Sequence, residues 1–229
     1  MKSRKRENAI KFEGERQSYR KHGFRYGCYS FFKRAFDISS SGLMILLLSW
    51  FILFCLLIKW LEDFHNPVYL SKRVGKDGRV FKIAKIRTMV PNAEQMKQQL
   101  IDAGLNEADP PAFKMKSDPR ITRLGKFFRK FSIDELLQLF NIFGGSMSVV
   151  GPRPPIPEEV AEYTEDQLHR LDVKGGLLCL WQIKHKRNEI SFDDWVKLDV
   201  EYIRKQSLWL DFKIIVKGAF MVIFDHSGE

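Results

Sequence analysis

The sequence predicts a mostly helical fold of the α/β (α+β) class, with a small sheet and a membrane-associated helix ahead of it. From Leu43 to Ile58 the chain is apolar except for Ser49. Two short strand-like runs within residues 67–88 flank a turn signal at Gly75–Gly78. Much of the remainder has helical spacing, and its last stretch, Leu208–Phe224, suits a helix that lies on a membrane surface.

The distribution of charge predicts a basic N-terminal arm over residues 1–32. The net charge of the 229-residue chain is +10, and residues 1–34 alone carry +8 of it. A basic tail on a nearly neutral body favours an anionic partner, which is either acidic lipid or nucleic acid. Because 45% of the residues are hydrophobic, the body can build a core.

The apolar run predicts a membrane helix over residues 33–61, followed by a soluble domain over residues 62–229. Its sixteen residues make roughly 24 Å of helix, and a bilayer core needs about 20 residues. Basic residues flank both ends of the run. A re-entrant helix keeps both basic flanks on the cytoplasmic side, whereas a spanning helix exports one of them. The re-entrant helix is therefore the favoured prediction, with a spanning helix and a buried core helix as alternatives.

The motifs of several common site types are absent from the sequence. The three cysteines, Cys28, Cys55 and Cys179, form no CxxC pair and no zinc-binding spacing. No glycine-rich nucleotide-binding loop, no serine nucleophile elbow and no HExxH run occurs. The sequence thus predicts neither a disulfide framework nor a familiar nucleotide-binding fold.

Adjacent carboxylates at Asp134 and Glu135 are the strongest candidate for chemistry. Apolar residues at helical spacing predict an amphipathic helix over residues 134–143, so both carboxylates lie where a helix begins. Ser132 with Glu135 can form a capping box, which would make Glu135 purely structural. Alternatively, Asp134 acts as a nucleophile at phosphorus while its neighbour holds Mg²⁺.

Basic residues elsewhere are candidates for binding phosphate. Arg153 lies in a run of prolines, which stiffens the loop that presents its guanidinium. Lys85 and Arg87 share one face of a predicted strand, and Arg120 follows an Asp-Pro turn. Each of these features, taken alone, is equally typical of a solvated surface.

Taken together, the segments resemble the bacterial sugar transferases, also called monotopic phosphoglycosyl transferases or undecaprenyl-phosphate sugar-1-phosphate transferases. The likeness extends over about residues 31–224. The matching segments are Lys33–Asp37, Arg73–Phe81, Lys85–Met89, Asp118–Lys130, Ser132–Leu139, Gly145–Pro154, Leu198–Tyr202 and Ser207–Asp211.

The resemblance implies a reaction and a location. Asp134 and Glu135 are the family's catalytic pair: Asp134 attacks a UDP-sugar and Glu135 binds Mg²⁺. Undecaprenyl phosphate is then the acceptor, in the first lipid-linked step of exopolysaccharide, capsule or O-antigen synthesis. Arg153 corresponds to a phosphate- or nucleotide-contacting residue, and Asp199 and Gln182 are further candidates. The expected location is the cytoplasmic face of the bacterial inner membrane, with anionic lipid around the arm.

The sequence departs from the family pattern at two places. The family often breaks its membrane helix at a Ser-Pro pair, whereas Trp50 follows Ser49 here. A bend can therefore rest on Ser49 and packing, or the helix is straighter. Residues 175–188 are more apolar than the corresponding family loop and one residue longer. The identity of the sugar is left open.

Two other function classes compete with the enzyme. A membrane-anchored scaffold, or a degenerate family member without catalysis, predicts that Asp134 is dispensable. A nucleic-acid binder needs a basic groove in the folded part, and the nearly neutral body argues against it. The sequence therefore favours an enzyme that binds no nucleic acid, and a homodimer stays open.

Overall fold

The computed structural model describes residues 23–105, 115, 117–184 and 191–224. Most of the predicted basic arm and the basic loop at residues 185–190 lie outside these residues. The described helices are α1 (Phe24–Asp63), α2 (Ala93–Asp102), α3 (Arg123–Lys130), α4 (Gln138–Phe143), α5 (Pro157–Ala161), α6 (Glu165–Leu168), α7 (Phe192–Lys205) and α8 (Leu208–Phe224). The strands are β1 (Val68–Val74), β2 (Val80–Ile86), β3 (Ser148–Val150) and β4 (Gly176–Leu178). The predicted helix-rich α+β class with a small sheet is confirmed.

Helix α1 is longer than predicted and is continuous. It begins at Phe24, so residues 24–32 are helical and do not belong to an irregular arm. Tertiary contacts explain the difference, because the Tyr29 hydroxyl and the Lys33 ammonium both donate to Asp211 of α8, at 3.0 and 2.9 Å. No interruption of the helix occurs at Ser49, whose hydroxyl donates to the Leu46 carbonyl at 3.0 Å.

One side of α1 is exposed and apolar. Among the described residues, α1 alone is long and apolar enough to cross a membrane, and only 17% of its most apolar window is buried. A core helix of a soluble protein would be mostly covered, so the alternative of a buried core helix is not supported. Exposed residues on this helix include Leu46, Trp50, Leu53 and Leu57.

The opposite side of α1 is fastened to the body by polar contacts. The buried Asp37 carboxylate accepts hydrogen bonds from the Ser148 hydroxyl and the Val149 amide, at 3.1 and 2.9 Å. Arg34 donates to the carbonyl groups of Ile142 and Phe143, which lie at the end of α4. Cations suit a helix C-terminus because free carbonyl groups and the negative end of the dipole meet there.

The first sheet is the predicted hairpin. Strands β1 and β2 pair antiparallel from Val68 opposite Ile86 to Val74 opposite Val80. The turn between them contains Asp77 at φ 59° and Gly78 at φ 72°, a left-handed conformation that glycine and aspartate tolerate better than most residues.

The second sheet was not predicted, because its two strands have three residues each. Strands β3 and β4 pair in parallel, with Ser148 opposite Gly176. Their backbones approach closely at Gly151 and Gly176. A Cβ atom on Gly176 would lie 2.0 Å from the Gly151 nitrogen, so this crossing requires glycine.

An apolar cluster joins the hairpin, α1 and α3. Its buried members include Ile52 and Cys55 of α1, Ile86 of β2 and Phe128 of α3. Ile133 and Leu137, which flank the predicted catalytic pair, belong to the same cluster. The core therefore positions Asp134 and Glu135 beside the middle of the apolar helix.

Candidate active site

The backbone around Asp134 and Glu135 is a tight turn, and the predicted helix begins later than expected. Residues Ile133–Glu135 form one 3₁₀ turn, and α4 begins at Gln138. Ser132 adopts a left-handed conformation at φ 54° and makes no capping hydrogen bond through its side chain. The capping box is thus not formed, and the Glu135 carboxylate is available for other contacts.

Lys85 joins the two carboxylates. Its ammonium nitrogen lies 2.7 Å from Glu135 Oε1 and 3.9 Å from Asp134 Oδ2. Strand β2 presents Lys85 next to the 3₁₀ turn, because Ile86 and Ile133 pack in the same cluster. Lys85 was predicted to bind phosphate, and the structure places it against the carboxylate pair, a contact that the sequence did not predict.

The two carboxylates have opposite pKa shifts. Burial raises the pKa of Asp134, and the neighbouring Glu135 charge raises it further, although the cations of Lys85 and Arg129 oppose the change. Burial would also raise the pKa of Glu135, but Lys85 and Arg153 outweigh it and hold this pKa below its usual value. Glu135 is therefore the more stable anion, and Asp134 carries the more basic carboxylate.

The loop that carries Arg153 is fixed at four consecutive carbonyl groups. The Gly176 amide donates to Pro152, and the Val74 amide donates to Pro155, at 2.8 and 2.9 Å. The Arg170 guanidinium donates to the Arg153 carbonyl at 3.3 Å, and the Arg73 guanidinium donates to the Pro154 carbonyl at 3.2 Å. The sequence predicted a stiff loop from its prolines, and these donors add a fixed position.

An open, shallow cleft brings the candidate groups together. Its walls combine cations, the Glu135 carboxylate, two amides and a few apolar groups. The lining residues are Arg73, Ile83, Lys85, Glu135, Gln138, Arg153, Pro154, Gly176, Leu177 and Gln182. Lys85, Arg153 and Gln182 thus share the cleft with Glu135, and Asp134 adjoins it through Lys85.

Two polar residues of the cleft were missed as site residues by the sequence analysis. Arg73 lies in a segment that matches the family, but nothing local distinguishes it from other basic residues. Its buried Nε has no hydrogen-bond partner among the described residues. Burial and the nearby Arg153 cation lower the pKa of Arg73. Gln138 is buried and hydrogen-bonds to Glu135.

Asp199 lies behind the Arg153 loop and not in the cleft. It is fully buried, and its Oδ2 accepts a hydrogen bond from Arg170 Nε at 2.8 Å. Burial raises the pKa of Asp199 to about 6, against the attraction of Arg170. Arg170 also donates to the Arg153 carbonyl, so Asp199 contributes to the site only indirectly, by holding Arg170 in place.

Arg87 and Arg120 were predicted to bind phosphate, but the structure does not bring them into the cleft. Arg87 makes a two-pronged contact with Asp63 at the end of α1, with distances of 2.7 and 2.6 Å. Arg120 is buried and pairs with Asp118, with Nη2 and Oδ2 separated by 2.7 Å. Short ion pairs with nearby carboxylates hold both guanidinium groups away from the site.

The chemistry of the carboxylate pair fits a magnesium ion. Mg²⁺ commonly uses one or two carboxylates and completes its shell with water and substrate phosphate oxygens. Glu135 is a hard, ionised oxygen donor of this kind, and Asp134 adjoins it. Among the described residues there is no group of three or more His, Cys, Asp or Glu that could hold a metal by itself. A bound ion here would therefore depend on the substrate.

The comparisons with known proteins identify one family. The family model described as "Bacterial sugar transferase" matches residues 28–225. Galactosyl transferase CpsE of Streptococcus agalactiae is 43% identical over 192 residues, which are 83% of this chain and 42% of that protein. Undecaprenyl-phosphate galactose phosphotransferase of Salmonella typhimurium is 39% identical over 200 residues, which are 84% and 40% of the two chains.

A relative of similar length also exists. Exopolysaccharide production protein ExoY of Rhizobium meliloti is 37% identical over 188 residues, which are 81% of this chain and 82% of that protein. The chain spans about two fifths of the length of the two relatives named before it. Since the family model covers nearly all described residues, the chain belongs to the bacterial sugar transferase family.

Proposed function

We propose that the protein transfers a sugar-1-phosphate from a UDP-sugar to undecaprenyl phosphate, which yields undecaprenyl-diphosphate-sugar and UMP. The observation that carries this proposal is the cleft itself. A basic, buried carboxylate adjoins an ionised carboxylate, and three cations on fixed elements, Lys85, Arg73 and Arg153, surround them. Such a cleft suits a pyrophosphate and a nucleophile that attacks it.

In the first step, an oxygen of Asp134 attacks the phosphorus that carries the sugar. The bond between this phosphorus and the UMP oxygen breaks, and UMP leaves with the bonding electrons. The raised pKa of Asp134 favours the attack because a more basic oxygen is a stronger nucleophile once it is ionised. Arg153 and Arg73 stabilise the developing phosphate charge.

In the second step, an oxygen of undecaprenyl phosphate attacks the same phosphorus and releases Asp134. Lys85 favours the departing carboxylate because its ammonium lies 3.9 Å from Asp134. Glu135 would hold Mg²⁺, and the ion would supply charge neutralisation for the pyrophosphate when bound. The product is the first lipid-linked intermediate of exopolysaccharide, capsule or O-antigen synthesis.

We further propose that the enzyme is monotopic on the cytoplasmic face of the inner membrane. Asp37 contacts the body near one end of α1. Near the other end, the buried Lys59 pairs with Glu62 and hydrogen-bonds to Thr122 at 3.4 Å. These positions are roughly 33 Å apart along a helix, which matches a bilayer core of about 30 Å. If α1 crossed the bilayer, the polar body would follow it into hydrocarbon, so the helix re-enters or lies obliquely.

The test measures UMP release and lipid product in membranes that contain the full chain. UDP-galactose and UDP-glucose are supplied with Mg²⁺ and undecaprenyl phosphate, and galactose comes first because two relatives are named for it. Asp134→Asn keeps the shape of the side chain and removes its charge. We expect turnover to fall by at least about 10³-fold in this variant.

The matched control is Asp166→Asn, which removes a carboxylate from the exposed first turn of α6. This variant should keep wild-type turnover. Sustained turnover by Asp134→Asn would contradict the covalent mechanism. If membranes with the wild-type chain release UMP from no sugar, the scaffold interpretation replaces the enzyme.

A further inference from the structure

Helix α3 exposes a face on which cations and aromatic rings alternate. The sequence from residue 123 to residue 130 contains four basic residues and no acidic one. Arg123, Lys126 and Lys130 are exposed at helical spacing, with Phe127 and Phe131 between them on the same side. The rings of Phe127 and Phe131 lie 4.9 Å apart, and the Lys130 ammonium lies 5.7 Å from the centre of the Phe131 ring.

This face lies next to the nucleophile and to the apolar helix. The other side of α3 packs through Phe128 and Leu124 against Ile52 and Cys55 of α1. The chain leaves α3 at Lys130 and reaches Asp134 within four residues, after the left-handed turn at Ser132. Helix α3 therefore connects the apolar surface of α1 to the reacting carboxylate.

The composition of this face differs from that of a surface that only contacts lipid. Helix α4 also exposes two aromatic residues, Phe140 and Phe143, yet its sequence contains no cation. On α8, Trp209 and Phe212 form a stacked pair and the Lys213 ammonium lies 5.1 Å from the centre of the Trp209 ring, but this helix packs against β3 and β4. Only around α3, among the described helices, does such a face adjoin the carboxylate pair.

We propose that this face of α3, consisting of Arg123, Lys126, Phe127, Lys130 and Phe131, binds the polyprenyl phosphate acceptor. The cations pair with the phosphate, and the rings cover the first isoprene units of the chain. This assignment rests on the proposed function and identifies the residues that recognise its second substrate. Ordinary anionic lipid offers a similar headgroup, but only the acceptor phosphate must reach Asp134 in the proposed reaction.

The test separates the acceptor from the donor. Lys126→Gln/Lys130→Gln is compared with the wild type in detergent-solubilised full chain. The first measurement is the stoichiometric UMP released from a UDP-sugar without acceptor. The second is the dependence of turnover on undecaprenyl phosphate concentration. The UMP burst should be unchanged, while the KM for undecaprenyl phosphate rises about tenfold because charge-assisted contacts are lost.

A binding measurement makes the result independent of turnover. Undecaprenyl phosphate should raise the Tm of the wild-type chain more than undecaprenol does, since a ligand stabilises the state that binds it. The double variant should lose this difference. Phe127→Ala should also raise the KM for the acceptor, without a change in the UMP burst.

The matched control, Lys197→Gln/Lys205→Gln, removes the same charge from the exposed side of α7. If it raises the acceptor KM as much as the α3 variant, the effect is general surface charge and the proposal is wrong. An α3 variant with wild-type KM and wild-type Tm response also overturns it. If the wild type releases no UMP, the proposed function fails while the Tm comparison still decides the binding face.

Discussion

The two walls of the cleft are built in opposite ways. The wall with Asp134 and Glu135 rests on apolar packing, in which Ile133 and Leu137 join side chains from α1, β2 and α3. The wall with Arg153 rests on hydrogen bonds to its backbone, backed by the buried ion pair of Arg170 and Asp199. Apolar packing fixes a volume, whereas the polar contacts fix individual atoms.

This difference predicts separate effects on stability and on activity. Loss of an apolar side chain leaves a cavity that neighbours partly fill, so the catalytic groups stay close to their positions. Loss of one polar partner leaves a charge unpaired in the interior and releases the loop that it held. The predictions below begin with the largest expected effect.

The largest effect is expected at the ion pair behind the Arg153 loop. Arg170→Met leaves the Asp199 carboxylate buried without its cation, so the free energy of unfolding should fall by about 3–5 kcal/mol. In Arg170→Met/Asp199→Leu both charges are absent, and stability should return to near the wild-type value. Sugar-phosphate transfer by this double variant should stay about ten- to a hundredfold low because nothing holds the Arg153 carbonyl. Denaturant unfolding measures the effect on stability, and kcat/KM measures the effect on transfer. Wild-type transfer by the double variant would show that Arg170 does not position the Arg153 loop.

A smaller effect on stability is expected in the apolar wall. Leu137→Ala removes a buried side chain that is 6% exposed, and the free energy of unfolding should fall by about 2–4 kcal/mol. Transfer per folded molecule should change by less than about tenfold, since Leu137 does not line the cleft. The same two measurements apply. A variant that is stable but inactive would show that the apolar wall also fixes the position of Asp134.

The smallest effect is a shift in pH dependence. In the proposed mechanism Asp134 must be ionised to attack, so transfer should be lost as the pH falls through its pKa, which burial raises above the usual aspartate value. Lys85→Met removes a cation that favours the ionised form, and the acid limb of kcat/KM should therefore move to higher pH. The profile is measured on the donor half-reaction, with Lys205→Gln as a control for lost surface charge. An unmoved acid limb would indicate that another group titrates.

Several features of the site were predicted correctly because their signals are local. The Gly75–Gly78 turn between two strand-like runs gave the hairpin, and the prolines around Arg153 indicated a stiff loop. Asp134 and Glu135 are adjacent in the chain and share the turn beside the cleft, and their catalytic role stays a prediction. In each case the relevant residues are neighbours in the chain, so local backbone preferences carry the information.

Other predictions failed because several structures satisfy the same local pattern. The apolar spacing after Asp134 indicated a helix from residue 134, but the chain first makes a 3₁₀ turn, and Phe140 and Phe143 are half exposed. Periodicity shows that one face is apolar, and it does not show whether protein or lipid covers that face. Ser132 likewise fitted a capping box, which its left-handed backbone excludes.

The sequence by itself determined the apolar helix, the hairpin, the carboxylate pair and the family to which they belong. Only the tertiary structure decided which cation pairs with which carboxylate. In the sequence, Arg87 and Arg120 were as good candidates for phosphate binding as Lys85 and Arg153. In the structure, Arg87 and Arg120 form ion pairs with Asp63 and Asp118, whereas Lys85 and Arg153 line the cleft. Arg120 pairs with a neighbour in the chain, but the pairs of Arg87 with Asp63 and of Lys85 with Glu135 join residues 24 and 50 positions apart. Local sequence does not indicate which of several acidic residues such a cation will meet. Only the packed core, which sets the distances, selects one pairing.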